Sequence, residues 1–313
     1  MPRGRIFWYR SRSARKERME APKIEVSIVI PAYQEEQAIG PVLDTIKAVM
    51  AQTRYTYEIL VIDDGSQDHT ADIARTRQVR VYQHRENYGS GASRKTGILH
   101  ARGEIIVMTD ADGTYPAEAI PHLLAHFPDY DQVVGARQSE QGTHRLLRTF
   151  AKESIKRLAS YLVGQPIPDL NSGLRAFKKD LMLQYMYLIP DGFSCVSTMS
   201  LAFLANKHRV AYVPIAYYER LGQSKFHPIK DTYNYLLTVI RVVTYFHPLH
   251  VFIPLSLVLM GFGVGKSLLD LWLTGTIQES DIMAVLSGVV VAAIGILADL
   301  IITQGKKDRD SLL

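Results

Sequence analysis

The chain has 313 residues, 21% charged and 47% apolar, which excludes a disordered polymer and provides for one large domain or two smaller ones with a real core. Cys195 is the only cysteine, so an intrachain disulfide and a cysteine-ligated zinc site are excluded, as fits a reducing compartment. The net charge of +5 is concentrated at the start, where Arg3, Arg5, Arg10, Arg12, Arg15, Lys16 and Arg18 are opposed by Glu17 alone. Ile6, Phe7, Trp8 and Tyr9 lie inside that run, a mixture that favours a membrane interface over nucleic acid. No apolar core of secretory length follows these charges.

Beyond this arm (residues 1–23) the pattern alternates. Val26-Ser27-Ile28-Val29-Ile30-Pro31 reads as a buried strand, and residues 37–51 carry Ile39, Val42, Leu43, Ile46 and Val49 at helical spacing. Glu58-Ile59-Leu60-Val61-Ile62 is a second strand ending in Asp63-Asp64-Gly65-Ser66, followed by a helix over residues 68–75 with acid near its start. A third strand (79–82), a glycine-entered helix (89–101), a fourth strand (104–109), a helix (117–127) and a fifth strand (131–135) follow. Such alternation predicts an α/β fold with a mainly parallel sheet covered on both faces, and ligands then bind beyond the carboxyl ends of the strands. After Gly142 come a basic amphipathic segment (146–163) with Arg145, Arg148, Lys152, Lys156 and Arg157, a loop entering a strand (169–177) and a strand over 210–217. The aromatic segment 229–247 is placed at a membrane interface.

The last quarter differs in kind. Residues 251–274, interrupted only by Lys266 and Asp270, and residues 282–303, with Asp299 near the end, are each long enough to span a bilayer as a helix. An acidic connection separates them, and Lys306, Lys307 and Arg309 follow, which places both chain termini and the main domain in the cytoplasm. Gly261 and Gly265 have the small-xxx-small spacing that permits close helix approach and invites self-association into a homo-oligomer. The expected domains are therefore 1–23, 24–228, 229–248 (juxtamembrane) and 249–313.

The chemistry concentrates at two strand ends. Asp110-Ala111-Asp112 follows the fourth strand, and two carboxylates one residue apart there hold a hard cation such as Mg²⁺ or Mn²⁺ together with substrate phosphates. Arg137, Arg175, Arg220 and Lys225 come from separate segments, and arginine forks match phosphate geometry. Taken together, these residues point to a metal-bound diphosphate.

Ser-Ile-Val-Ile-Pro-Ala-Tyr-x-Glu-Glu, Val-Ile-Asp-Asp-Gly-Ser-x-Asp-x-Thr, Asp-Ala-Asp-x-x-x-Pro, Ser-Gly-x-Arg and Gly-x-Ser-Lys, in this order, resemble glycosyltransferase family 2, and within it the dolichol-phosphate mannosyltransferase-like branch of polyprenyl-phosphate glycosyltransferases. The resemblance spans residues 25–228, and the two-helix tail is similar to that of several members. It implies a GT-A fold with a transmembrane hairpin, and inverting transfer of a hexose from a nucleotide-diphosphate sugar to a polyprenyl phosphate. By position it assigns Pro31, Tyr33, Glu35, Ile62, Asp64, Asp110 and Ala111 to the nucleotide, and Asp110 and Asp112 to Mg²⁺ or Mn²⁺. It assigns Arg137, Arg175, Arg220, Ser224 and Lys225 to donor or acceptor phosphates, and Asp112, Asp169 and Arg137 to catalysis, Asp169 as acceptor-orienting residue, base or loop cap. One departure is Gly113-Thr114-Tyr115, where the branch often has Leu-Gln-His with Gln as a further metal ligand. This leaves GDP-mannose, a UDP-hexose and a UDP-N-acetylhexosamine open as donors. Transfer to a hydroxyl, or nucleotide-sugar binding by a membrane scaffold without turnover, are the alternatives. A processive synthase is disfavoured, because neither Trp8 nor Trp272 sits in a Gln-x-x-Arg-Trp context.

Overall fold

The computed structural model describes residues 23–138, 156–161, 163–192, 194–219, 237 and 240–310, the last six as backbone only. Arg220, Ser224, Lys225, most of the basic arm and most of segments 146–163 and 229–247 lie outside the described residues.

Seven strands form one mixed sheet: β1 (Val26–Ala32), β2 (Tyr57–Asp63), β3 (Arg80–Gln83), β4 (Ile105–Met108), β5 (Gln132–Arg137), β6 (Arg175–Lys178) and β7 (Val210–Ile215), in the order β3-β2-β1-β4-β6-β5-β7. β1 is central to its parallel half, flanked by β2 and β4, and its β-branched Ile28-Val29-Ile30, fully buried, are what a strand covered on both faces requires. Among the described strands, only β6 runs antiparallel to its neighbours, β4 and β5. That reversal keeps β5 and β7 parallel to the first four strands, so six strands end at one edge and β6 begins there. Met108 pairs with Arg175 and Arg137 with Ile215 at that edge.

Helices α1 (Ile39–Met50), α2 (Thr70–Thr76), α3 (Ser90–His100) and α4 (Ala119–Leu124) connect the strands. In α1 the buried Ile39, Leu43, Ile46 and Met50 fall on one stripe, which explains why its periodicity is legible. One core, built on α1 and α4, holds Ile28, Ile30, Leu43, Val107 and Leu123, and the other, on α3 and the later helices, holds Val29, Leu60, Ile62, Ile98 and Phe177. After β6 come α5 (Lys179–Leu183) and α6 (Cys195–Ala205). Every residue of α6 is buried, its small polar Ser197, Thr198 and Ser200 included, and a helix buried all round has no amphipathic stripe to reveal it in sequence.

Residues 240–246 are helical and face two ways. Val242, Val243 and Phe246 are buried in the second core, while Ile240 and Tyr245 stay exposed. His247 Nε2 lies 3.0 Å from Ala205 O, and the Tyr187 and Tyr245 hydroxyls meet at 2.9 Å, so this helix is fastened to the catalytic core just before the chain leaves it.

The chain ends in a hairpin of α7 (Pro248–Thr274) and α8 (Glu279–Asp310). At 1.5 Å per residue, about 40 Å for α7 exceeds the ~30 Å hydrocarbon layer. Both helices are long and apolar enough to cross a membrane, and they keep most of their surface outside the protein, with Val258, Phe262, Leu268, Trp272, Met283 and Ile301 all strongly exposed. A core hairpin of a water-soluble protein would bury these groups. Among the described residues, Gly263, Gly288 and Gly295 make the close approaches between helices, against Val285, Met260 and Phe252. Gly261 and Gly265 do not: a Cβ on either meets nothing within 4 Å, so their spacing lies on an outward face. The charges interrupting the first apolar stretch are paired, Lys266 Nζ donating to Asp270 Oδ2 and Asp281 Oδ1, each at 2.6 Å.

Candidate active site

The carboxyl edge of the sheet gathers the expected residues from different parts of the sequence. Asp110 and Asp112 follow β4. Gly113, at φ 74°, turns the chain so that Thr114 folds back onto Asp112, donating from N at 3.1 Å and from Oγ1 at 2.7 Å to the same Oδ1. Thr114 thus works as a clamp on the second acid. Asp110 is 31% exposed in its side chain and accepts from Arg94 Nη2 at 2.5 Å through Oδ1. Its Oδ2 sits where a Cβ on residue 173 would lie, 2.5 Å away, so only glycine lets the carboxylate rest there. Gly173 N in turn donates to the Tyr115 hydroxyl at 2.7 Å. Burial first, and then the charge of Asp110, push the Tyr115 phenol up, and it stays a neutral hydrogen-bonding group. We expect Gly173→Ala to displace Asp110 and weaken Mn²⁺ binding about 10–100-fold, measured by titration of the purified chain.

Arg137, the last residue of β5, is fixed by Asp169: Nε donates to Oδ2 at 2.7 Å, Nη2 to Oδ1 at 2.9 Å, and the backbone N to Oδ2 at 3.2 Å. Asp169 also accepts from Asn171 N at 3.0 Å. Burial pushes Asp169 up, but the hydrogen bonds and charge of Arg137 outweigh it and hold the carboxyl below its ordinary value. So engaged, Asp169 caps its loop through Asn171 N and aims Arg137, the loop-capping role among those expected of it. The guanidinium of Arg137 lies over the Tyr217 ring at 5.2 Å, and that ring packs edge-on against Tyr115 at 5.3 Å. Tyr218 N donates to Thr114 O at 2.9 Å, so the segment after β7 joins Arg137 to the acidic loop.

At the other end of the edge, the loop 33–36 is laced to the one after β2. Gln34 N donates to Ser66 Oγ at 2.9 Å, and Glu35 N to Thr70 Oγ1 at 2.8 Å. Pro31, Tyr33 and Glu35 are half-buried beside it, and Ala111 is buried in the acidic loop. Asp64 is at the strand end but accepts from His84 Nδ1 at 2.7 Å, Tyr88 N at 3.1 Å and Gly89 N at 2.8 Å, which leaves little of its acceptor capacity for a nucleoside.

Two assignments are corrected. Ile62 has no exposed surface and its side chain belongs to the core beneath the sheet. Arg175 is also 0% exposed, donating to Val196 O at 2.7 Å, Ser200 Oγ at 3.0 Å and Ser172 O. Burial and the nearby charge of Arg94 lower it to about 10, and it braces the loop that carries Gly173 without facing a phosphate. The start of α3 is likewise no open anion site, because Gly91 N and Ala92 N donate to Asp191 O at 2.7 and 3.3 Å. Arg94, Tyr115 and Tyr217 are the site residues that sequence reasoning missed. Only Tyr115, in Gly-Thr-Tyr-Pro beside the acids, carried a positional signal.

The donor set fits a hard divalent cation. Two carboxylates offer oxygen ligands, and among the described residues no third His, Cys, Asp or Glu joins them, which leaves room for phosphate oxygens and water.

Residues 27–185 match the family model described as Glycosyl transferase family 2, and residues 247–303 match that of the GtrB C-terminal hairpin. The chain belongs to glycosyl transferase family 2, and it is a glycosyltransferase with a GT-A fold. It is 34% identical over 206 residues to a dolichyl-phosphate hexose transferase of Haloferax volcanii, covering 65% of this chain and 87% of that one. An undecaprenyl-phosphate 4-deoxy-4-formamido-L-arabinose transferase of Klebsiella pneumoniae is 32% identical over 216 residues, 66% of this chain and 63% of that relative's length. Among solved structures, glucosyl-3-phosphoglycerate synthase from Mycobacterium tuberculosis in complex with Mn²⁺, UDP and glucosyl-3-phosphoglycerate superposes with a TM-score of 0.52 at 20% identity, over 71% of this chain and 79% of that one. That likeness bears on the fold alone.

Proposed function

We propose that the protein transfers a hexose from a nucleotide-diphosphate sugar to a polyprenyl phosphate at the cytoplasmic face of a membrane, with both termini on that side. The observation that carries this reading is the meeting of Asp110, Asp112 and Arg137 at one sheet edge, in a chain that ends in a hairpin of membrane-spanning length. The relatives named for dolichyl- and undecaprenyl-phosphate support the acceptor class. Asp110 and Asp112 would hold Mg²⁺ or Mn²⁺, which when bound supplies positive charge for the departing diphosphate. Arg137, aimed by Asp169 and backed by Tyr217, meets a phosphate oxygen of donor or acceptor, with Arg220, Ser224 and Lys225 as further contacts. Pro31, Tyr33, Glu35, Ala111 and the end of β2 receive the nucleoside. The protein's main task is to orient the two phosphates and stabilise the charge that develops between them.

No strong base is needed. A phosphate monoester has a second pKa near ~6 and is a nucleophile at neutral pH. Transfer to a hydroxyl would need one, and the carboxylate best placed for it, Asp169, is spent on Arg137. The sign of the pH dependence follows. Because the Asp169 pKa is depressed on folding, its contribution to stability is fully present above its ordinary 3.8 and is lost only as pH falls through the lower folded value. The acid limb of kcat/KM is therefore expected to fall at about pH 6, where the acceptor phosphate takes up a proton, with Asp169 still ionised. A pH–rate profile checks this, and a limb set by Asp169 would lie well below it.

The direct test supplies the full chain in membranes with a panel of nucleotide sugars and a short polyprenyl phosphate, and reads the glycolipid by mass. A hexose added to the lipid phosphate supports the reading. Sugar added only to a hydroxyl acceptor, or donor binding without turnover, contradicts it.

A further inference from the structure

Arg94 is a buried cation against the first acid of the pair, and nothing in the proposed transfer uses it. It lies on the first turns of α3 and is held from three sides. Nη2 donates to Asp110 Oδ1 at 2.5 Å, and Nη1 donates to Ser90 O at 3.3 Å and to Cys195 Sγ, the first residue of α6, at 3.8 Å. The guanidinium is thus a fixture of two helices, and a lysine, with one nitrogen and no planar fork, would not reproduce it. With Oδ1 taken by this fixed cation, Asp110 has one oxygen, Oδ2, left to offer. Asp112 is fixed through its Oδ1 as well, which accepts both donors of Thr114.

We infer that Arg94 makes Asp110 a one-oxygen ligand and thereby sets the preference of the site for a small octahedral cation over Ca²⁺. The inference rests on the proposal that Asp110 and Asp112 hold the divalent ion. Mg²⁺ and ions of its kind take six ligands at short distances, which single carboxylate oxygens, water and phosphate satisfy. Ca²⁺ takes six to eight oxygens in a looser shell and draws on two-oxygen carboxylates. Releasing Oδ1 opens that second mode at Asp110. Removing the charge of Arg94 strengthens binding of every divalent cation alike, so the ratio of Mn²⁺ to Ca²⁺ affinity, and not either affinity alone, reports how Asp110 binds.

The test is Mn²⁺ binding by the full chain in detergent micelles, followed by the electron-spin signal of free Mn²⁺ with Ca²⁺ as competitor, for wild type, Arg94→Gln and Arg94→Lys, each checked for folding by circular dichroism. Arg94→Gln is expected to narrow the Mn²⁺ preference by at least about tenfold, the scale at which partners of metal ligands act. Arg94→Lys narrows it less, and adding Asp110→Asn to Arg94→Gln abolishes the change. A ratio unchanged in a folded Arg94→Gln protein overturns the inference, and if that variant does not fold, an unchanged ratio in Arg94→Lys does so. Should wild-type Mn²⁺ binding be indifferent to Asp112→Ala, the metal site lies elsewhere and the reading it rests on falls as well.

Discussion

Asp112→Ala is expected to reduce sugar transfer at least about 100-fold, the scale of losing one preorganised electrostatic group, while the protein stays folded and membrane-bound. Asp112 sits after the end of β4 in a turn set by Gly113 and clamped by Thr114. Its removal costs charge placement more than packing. The effect belongs in kcat as much as in donor affinity, because the diphosphate gains charge as the bond to the sugar breaks. The measurement is labelled-donor transfer to a short polyprenyl phosphate in membranes. Transfer at the wild-type rate by Asp112→Ala would remove the acid pair from the mechanism.

The second large effect falls on the Arg137–Asp169 pair, both of whose side chains are 10% exposed. Asp169→Ala takes the bidentate carboxylate away from a buried guanidinium, and breaking such a pair costs about 3–5 kcal/mol of stability. Replacing both residues with apolar ones of similar size is expected to recover much of that stability and none of the transfer, since Arg137 then no longer meets phosphate. Thermal unfolding and transfer assays on the two single variants and the double variant separate these effects. If the apolar double variant transferred sugar at the wild-type rate, the pair would be a packing feature only.

What the sequence made legible and what it hid have physical reasons. β1, β2 and β4 were readable because strands buried on both faces must be continuous apolar runs, and the acids stood out because they end such runs. The direction of β6 was hidden, since no local pattern encodes which neighbour a four-residue strand joins. Helix α6 was hidden because it has no solvent-exposed face. Ile62 and Arg175 show the limit of reading roles from motif position: both sit beside the edge in sequence, yet their side chains face the core. Arg94 and Tyr217 show the converse, since they reach the site only through folding, one from the face of α3 and the other from the chain after β7. The two long apolar segments were plain from length alone, but which glycines join them was not, and Gly263, Gly288 and Gly295 take the place that the spacing of Gly261 and Gly265 advertises.

The proposed chemistry depends on where a divalent ion and a diphosphate settle. A structure of the full chain with Mn²⁺ and a nucleoside diphosphate, located by the anomalous signal of manganese, tests this most directly. The ion is expected within coordination distance of the carboxylates of Asp110 and Asp112, with a diphosphate oxygen completing its shell on the side facing Arg137. Manganese bound away from both acids, or a diphosphate held without them, would contradict the account.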